Sequence, residues 1–366
     1  MGAELEQKVM IHPQAKKIKI GLIARADNTG IGVQTWEFYR HMKPDKTLVV
    51  DISALNQNKQ YPERFDGEGV TFCQWPQESD FIAFLEGLDL VFVVESPYDY
   101  NFFKLARERN VRTVLQYNWE YIDYLGKMPY PQPDLFASPT PWHFEDLPFH
   151  NKMILPVPVD RERCKFKKRM TYNNFLHIAG KPVSHDRNGT ETVLKAVKHV
   201  TSSEFRLIVR VQDENYIPEW KKLLEPTETR VEFVAEDTEN YWDIYDQGNI
   251  MLMPRRYAGL CLPVQEALST GMPVIMTDVS PNNELLPKQW LIECEKIGEF
   301  MCHVMVDIHE SKAEALANRV NKWIANGLNG MLFNNALANN IASELDWRKW
   351  VNRYNEVFEQ LCKVKQ

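Results

Sequence analysis

No two aspartates in this chain of 366 residues are separated by a single residue. A carboxylate pair at that spacing can hold a divalent cation, so no metal site of that kind is expected. The six cysteines, at positions 73, 164, 261, 294, 302 and 362, never form a Cys-x-x-Cys pair. In a chain this long, that scatter argues against both a zinc site and a disulfide framework. Most of the thiols read as reduced and buried. No apolar run approaches the roughly 18 residues of a membrane span, and residues 1–17 lack an apolar core of signal-peptide length. A cytoplasmic protein without a transmembrane segment is therefore expected. The net charge is −7, which supplies no global basic field for nucleic acid or membrane surfaces. Internal repeats and low-complexity tracts are also missing.

The length suffices for two domains, each with its own core. Apolar strand-like runs recur along the first half at 17–24, 47–53, 70–75, 89–96, 112–118, 134–138 and 152–159, separated by helical or irregular segments. The second half repeats the pattern at 174–180, 206–213, 229–236, 249–254 and 272–276. Continuous apolar strands alternating with helices predict an α/β fold with mostly parallel sheets covered on both faces. A helix is predicted over 311–328. The segment 344–363 has Leu345, Trp350, Val351, Tyr354, Val357, Phe358 and Leu361 at helical spacing.

The stretch YAGLCLPVQEALSTGMPVIMTD, residues 257–278, carries the densest chemistry. Strand 249–254 leads into a turn with Gly259 and Pro263, then a short helix with Gln265 and Glu266, then a strand at 272–276. In a parallel sheet such a loop lies beyond the carboxyl ends of the strands, where ligands of open α/β sheets bind. A helix start there offers free N–H groups to a phosphate or sugar oxygen. Glu266 can accept hydrogen bonds from a polyol or simply cap the helix, and Arg255 and Arg256 are able to meet a diphosphate by bidentate contact.

This pattern resembles the donor-binding segment of retaining GT-B glycosyltransferases, especially the family-4-like group. The matching positions are Gly259, Leu262, Pro263, Glu266, Ala267, Gly271, Pro273 and Val274. Ala258 stands where the family has the first of two glutamates, and Cys261 replaces a glycine. The resemblance implies two Rossmann-like domains facing across a cleft: residues 1–165, completed by a returning C-terminal helix at 344–366 with Trp347 and Trp350 buried, and residues 166–343. It places Glu266 on the nucleotide ribose and the backbone of Gly259, Leu260, Cys261 and Leu262 beside the donor. Val234 and Ala235 fall near the base, and Lys181 and Arg187 on the pyrophosphate. His185 is an alternative cation there, or an exposed residue.

Other candidates lie in the first half. Asn28, Thr29, Gly30, Ile31 and Gly32 are read as a loop after the first strand. Its glycines either let backbone approach the donor phosphate or form an ordinary turn. Acceptor-side candidates are Tyr98, Asp99, Asn118 and Trp119. Trp119 is read either as a stacking face for a sugar or as a packed core indole. Glu120 either orients an acceptor hydroxyl or is an acidic surface residue. Arg161, Arg163, Lys165 and Lys167 alternate along an extended linker, giving a solvated segment or a cationic stripe for a polyanion.

The expected function is metal-independent transfer of a glycosyl group from a nucleotide sugar, a UDP- or GDP-sugar, to a hydroxyl-bearing acceptor with retention of configuration. No cofactor is expected beyond that donor. The acceptor class stays open, hydroxylated DNA among the possibilities. A catalytically silent nucleotide-sugar sensor and a sugar-nucleotide epimerase are the alternatives.

Overall fold

Strands that are apolar on both faces need cover on both faces, and the computed structural model provides it twice. It describes residues 17–125, 129–180, 185–236, 238–257 and 259–363. The first sheet contains β1 (Ile20–Ala24), β2 (Lys46–Val50), β3 (Val70–Cys73), β4 (Leu90–Val94), β5 (Arg112–Gln116), β6 (Leu135–Ser138) and β7 (Lys152–Ile154). Its order is β3-β2-β1-β4-β5-β6-β7, with every pairing parallel. The second sheet contains β8 (Asn174–Gly180), β9 (Arg206–Val211), β10 (Val231–Val234), β11 (Ile250–Met253), β12 (Val274–Thr277) and β13 (Leu291–Ile292). Its order is β10-β9-β8-β11-β12-β13, again parallel throughout.

Among the helices, α1 (Gly30–Met42), α2 (Ser53–Asn56), α3 (Glu78–Leu85) and α4 (Asn101–Glu108) belong to the first half. The second half adds α5 (Thr190–Val197), α6 (Ile217–Lys221), α7 (Leu262–Ser269), α8 (Asn282–Leu285), α9 (Ala313–Ala325), α10 (Gly327–Glu344) and α11 (Trp347–Lys363). Helix α11 returns to the first sheet. Trp347, Tyr354 and Phe358 are buried against Phe38 of α1 and Phe92 of β4, with Phe38 and Phe92 stacked at 4.3 Å. Burial of each such side chain stabilises the fold by roughly 1.5–3 kcal/mol. Trp350, expected to be buried, is only half-buried, because its indole lies at the helix start and donates to the Glu344 carbonyl at 2.7 Å. No helix among the described residues is long and apolar enough to cross a membrane.

Three sequence readings change. Gly30 and Gly32 are not loop residues, since α1 begins at Gly30 with Thr29 as its cap. The predicted helix at 311–328 is two helices parted at Gly327, whose φ of 57° breaks the first, and the second runs on to Glu344. The linker cations do not share a face. Arg163 is buried and paired with Glu37 of α1, Arg161 donates to Asn339, and Lys167 pairs with Asp246. The chain there is not an isolated extended strand; it is pulled inward at Arg163 to bind two domains together. Arg169, also buried, donates to the carbonyls of Tyr245, Gly248 and Thr270 and fixes the linker to the second domain.

One element had no reading at all. Strands β14 (Glu295–Met301) and β15 (Met305–Glu310) form an antiparallel hairpin inserted between β13 and α9. Its Val304 and Val306 are buried in the core of the first domain.

Candidate active site

In both sheets the strand order reverses at one point, between β1 and β4 in the first and between β8 and β11 in the second. Loops leaving such a switch point diverge and open a crevice, and here the two crevices face each other. Gly30 lies opposite Leu262: a Cβ on the glycine would sit 3.9 Å from the leucine Cδ1. Gly259 lies against the first domain so closely that a Cβ would stand 2.9 Å from the Trp142 indole.

The loop after β11 is held from within. Arg255 is buried and donates through Nη1 to the Leu260 carbonyl at 3.1 Å. Arg256 donates through Nη1 to the His185 carbonyl at 2.6 Å, and its own N–H donates to the Arg187 carbonyl at 2.9 Å. Both arginines, read from sequence as diphosphate contacts, thus brace the two loops. Helix α7 then begins at Leu262 with buried Cys261 in the capping position and no capping side chain; Pro263 has no N–H, and the Val264 and Gln265 N–H groups donate to the Cys261 carbonyl at 3.0 and 3.3 Å. The starts of α1 and α5 are already occupied. Thr29 accepts from Gly32, and the Asp186 carboxylate accepts from Thr190 and Glu191 at 2.9 Å each. Of the three helix starts at the crevices, α7 alone lacks a capping side chain, which leaves the Leu262 N–H at its tip.

Glu266, on α7, is 4% exposed. Its Oε1 accepts from Tyr241 at 2.9 Å and its Oε2 from Tyr245 at 2.6 Å. Burial raises its pKa, against the opposing pull of Arg163 and the two tyrosyl hydroxyls. An aromatic cluster roofs this carboxylate across the domain boundary. Trp36 stacks on Trp242 at 6.3 Å, and the Arg163 guanidinium lies 4.7 Å from the Trp36 ring and 5.2 Å from Tyr241. Val234 and Ala235 are half-buried at the carboxyl end of β10.

On the first-domain side, Glu120 is 3% exposed, which removes the reading of it as a surface acid. Its Oε1 accepts from Arg187 Nη2 at 2.5 Å, directly across the cleft. Glu120 Oε2 and Arg187 Nε are both buried with no hydrogen-bond partner among the described residues. Burial alone works to lower the Arg187 pKa, yet the Glu120 charge carries it above the ordinary value. Glu95 stands nearby at a φ of 62°, unusual for a residue with a side chain. Burial raises its pKa, and Asn118 Nδ2 donates to its Oε2 at 2.8 Å.

Several expected positions play other parts. Trp119 is buried in the first core and stacks under His143 at 4.8 Å, so it is a core indole and not a sugar platform. Tyr98 packs edge-on against Trp75 at 5.8 Å. Asp99 accepts from the Asn101 N–H at 2.9 Å at the start of α4. His185 is exposed. Lys181 and Ala258 lie outside the described residues.

Sequence reasoning missed Tyr241, Tyr245, Trp142 and the hairpin. The tyrosines had a usable signal, since a spacing of four puts two residues on one side of an α-helix, although the segment Tyr241–Asp246 folds as a 3₁₀ helix. Trp142 had none, because its neighbours in space come from the other domain.

A comparison with curated protein sequences finds no match. Solved structures match along nearly the whole chain. A glycosyltransferase from Rickettsia africae has a TM-score of 0.71 at 10% identity, covering 96% of this chain and 100% of that one. Anabaena HepE in complex with UDP and glucose has a TM-score of 0.68 at 12% identity, covering 94% and 100%. Sucrose-phosphate synthase from Thermosynechococcus elongatus has a TM-score of 0.64 at 12% identity, covering 94% and 99%. The fold is therefore that of GT-B glycosyltransferases, two Rossmann-like domains across a cleft, and residues 174–326 of the second domain match the family model described as glycosyl transferases group 1.

Proposed function

We propose that the protein transfers a glycosyl group from a UDP- or GDP-sugar to an acceptor hydroxyl, with retention of configuration and without a metal ion. The observation that carries this reading is the position of the family-matched loop and helix. Gly259–Glu266 lie in the crevice of the second domain, facing the crevice of the first, with the uncapped start of α7 between them.

In this reading the diphosphate lies over the α7 start, where the Leu262 N–H and the positive end of the helix dipole stabilise charge on the leaving group. Arg187 supplies a second positive charge, and Lys181 is proposed as a third from the same loop. Glu266 accepts the ribose hydroxyls after Tyr241 or Tyr245 gives way, and the backbone at Val234 and Ala235 borders the base. The acceptor oxygen attacks the anomeric carbon from the face that the diphosphate leaves. The bond from that carbon to the phosphate oxygen breaks, and the acceptor proton passes to a phosphate oxygen. Glu120, with one oxygen unpartnered, orients the acceptor hydroxyl. No protein nucleophile is needed; the chain contributes positioning, charge and exclusion of water.

The test is incubation of the purified protein with a panel of nucleotide sugars, read by mass spectrometry for release of free nucleoside diphosphate. Slow release from one donor, lost in Arg187→Ala, is expected. Intact donors throughout, or an isomerised donor in place of released diphosphate, would count against transfer.

A further inference from the structure

A second cavity at the domain boundary, of about 400 Å³, is built from four separate pieces of chain. The loop after β6 contributes Trp142, His143 and Asp146, the second domain contributes Tyr257 and Ser280, and the inserted hairpin contributes Asp307 and His309. Its volume is within the range of small-molecule sites. It adjoins the proposed transfer site through Tyr257, whose ring lies 5.4 Å from the Arg187 guanidinium, and through Trp142, which touches Gly259 of the donor loop.

The lining chemistry is selective. Trp142 and Tyr257 offer flat apolar faces, and Glu145, Asp146 and Asp307 offer carboxylate oxygens. No lysine or arginine lines the cavity among the described residues. Lys152 and Lys296 meet Glu145 and Asp307 at 3.6 and 2.9 Å but contribute no lining. Ionised carboxylates accept hydrogen bonds and cannot donate them. A phosphorylated ligand would therefore meet acceptors where it needs donors or cations, at the like-charge penalty that excludes wrong partners. A neutral sugar meets what it needs. The C–H face of a pyranose ring packs on an aromatic plane, and its hydroxyls donate to the carboxylates. Burial lowers the His309 pKa, and the other lining histidine, His143, is already engaged by Asp146 through Nδ1 at 2.5 Å.

We infer that this cavity is the acceptor subsite, and that the acceptor is a neutral saccharide unit rather than a phosphorylated sugar or a nucleic acid. The inference rests on the transferase reading for its role in catalysis, and on the cavity alone for its ligand class. The hairpin supplies part of the wall, so specificity resides in an element inserted between β13 and α9.

Saturation-transfer NMR on the full chain tests it, with glucose, galactose and N-acetylglucosamine as probes beside their 6-phosphates, in the presence of UDP or GDP. At least one neutral sugar is expected to receive saturation from the wild type and to lose it in Trp142→Ala. The signal should weaken in Asp307→Asn, and no 6-phosphate should outdo its parent sugar. Should Trp142→Ala fail to fold by circular dichroism, Asp307→Asn decides alone. Silence from every neutral sugar, a stronger signal from a 6-phosphate, or signals unchanged in the folded variants would overturn the inference. Calorimetry with UDP and GDP on the same samples separates the two claims. Sugar binding without diphosphate binding sinks the transferase reading and leaves the saccharide pocket, and the reverse result sinks the pocket alone.

Discussion

Arg187 of the second domain donates to Glu120 of the first at 2.5 Å, and each side chain keeps one further polar atom buried without a partner among the described residues. The pair joins the domains at the point where the loop after β8 meets the loop after β5. Removing one partner leaves the other charge buried and unpaired, a defect on the order of 3 kcal/mol. Glu120→Ala and Arg187→Ala should each lower the denaturation midpoint, and the double variant should fall well short of the sum. A double-mutant cycle in guanidinium measures the coupling; additive losses would show the pair to be incidental.

The two glycines at the start of α1 should respond differently. A Cβ on Gly32 would stand 2.1 Å from the Asp27 carbonyl oxygen, a backbone atom that cannot swing aside, whereas a Cβ on Gly30 would meet only Leu262 at 3.9 Å. Gly32→Ala should therefore cost several kcal/mol or prevent folding, and Gly30→Ala should stay within about 1 kcal/mol of the wild type. Thermal unfolding of both variants checks this ordering.

Much of this arrangement was legible in the sequence. The strand series, the doubled α/β architecture and the helix at 344–363 follow from apolar runs and helical spacing that depend on local order alone, whereas the return of that helix to the first domain was implied only by the family resemblance. Glu266 and the loop before it were legible because the motif is contiguous. Legibility failed where the deciding contact is remote. Arg163 sits in an alternating charged run that reads as solvated linker, and remote partners draw it inward: Glu37, 126 positions away, and the rings of Trp36 and Tyr241. The hairpin at 295–310 carried a weak period-two signal in Val304, Val306 and Ile308, obscured by an apolar partner strand face with exposed Ile297 and Met301. Trp119 and Trp142 are equivalent on composition, and tertiary packing assigned one to the core and the other to the cleft.

A pH dependence follows from His177. It is fully buried, its Nδ1 lies 2.8 Å from the Leu252 carbonyl and its Nε2 lies 2.9 Å from Thr190 Oγ1, and burial lowers its pKa from 6.5 to about 4. A depressed histidine binds its proton more readily when unfolded. Its contribution is thus complete above the unfolded pKa and is lost as pH falls from about 6.5 toward 4, about 3 kcal/mol in all. Urea denaturation at a series of pH values should show wild-type stability declining through that window. His177→Gln, which keeps a donor and an acceptor but does not titrate, should decline less steeply; equal slopes would remove His177 from the account.

Calorimetric titration of UDP and of GDP into the wild type and into Glu266→Gln reaches the central claim most directly. The carboxylate is proposed to receive the ribose hydroxyls, and hydrogen bonds to a charged group contribute about 1.5–3 kcal/mol. One nucleoside diphosphate should bind the wild type at a single site, and Glu266→Gln should weaken it roughly tenfold or more. No heat from either nucleotide, or equal affinity in the two proteins, would contradict a donor site built on α7.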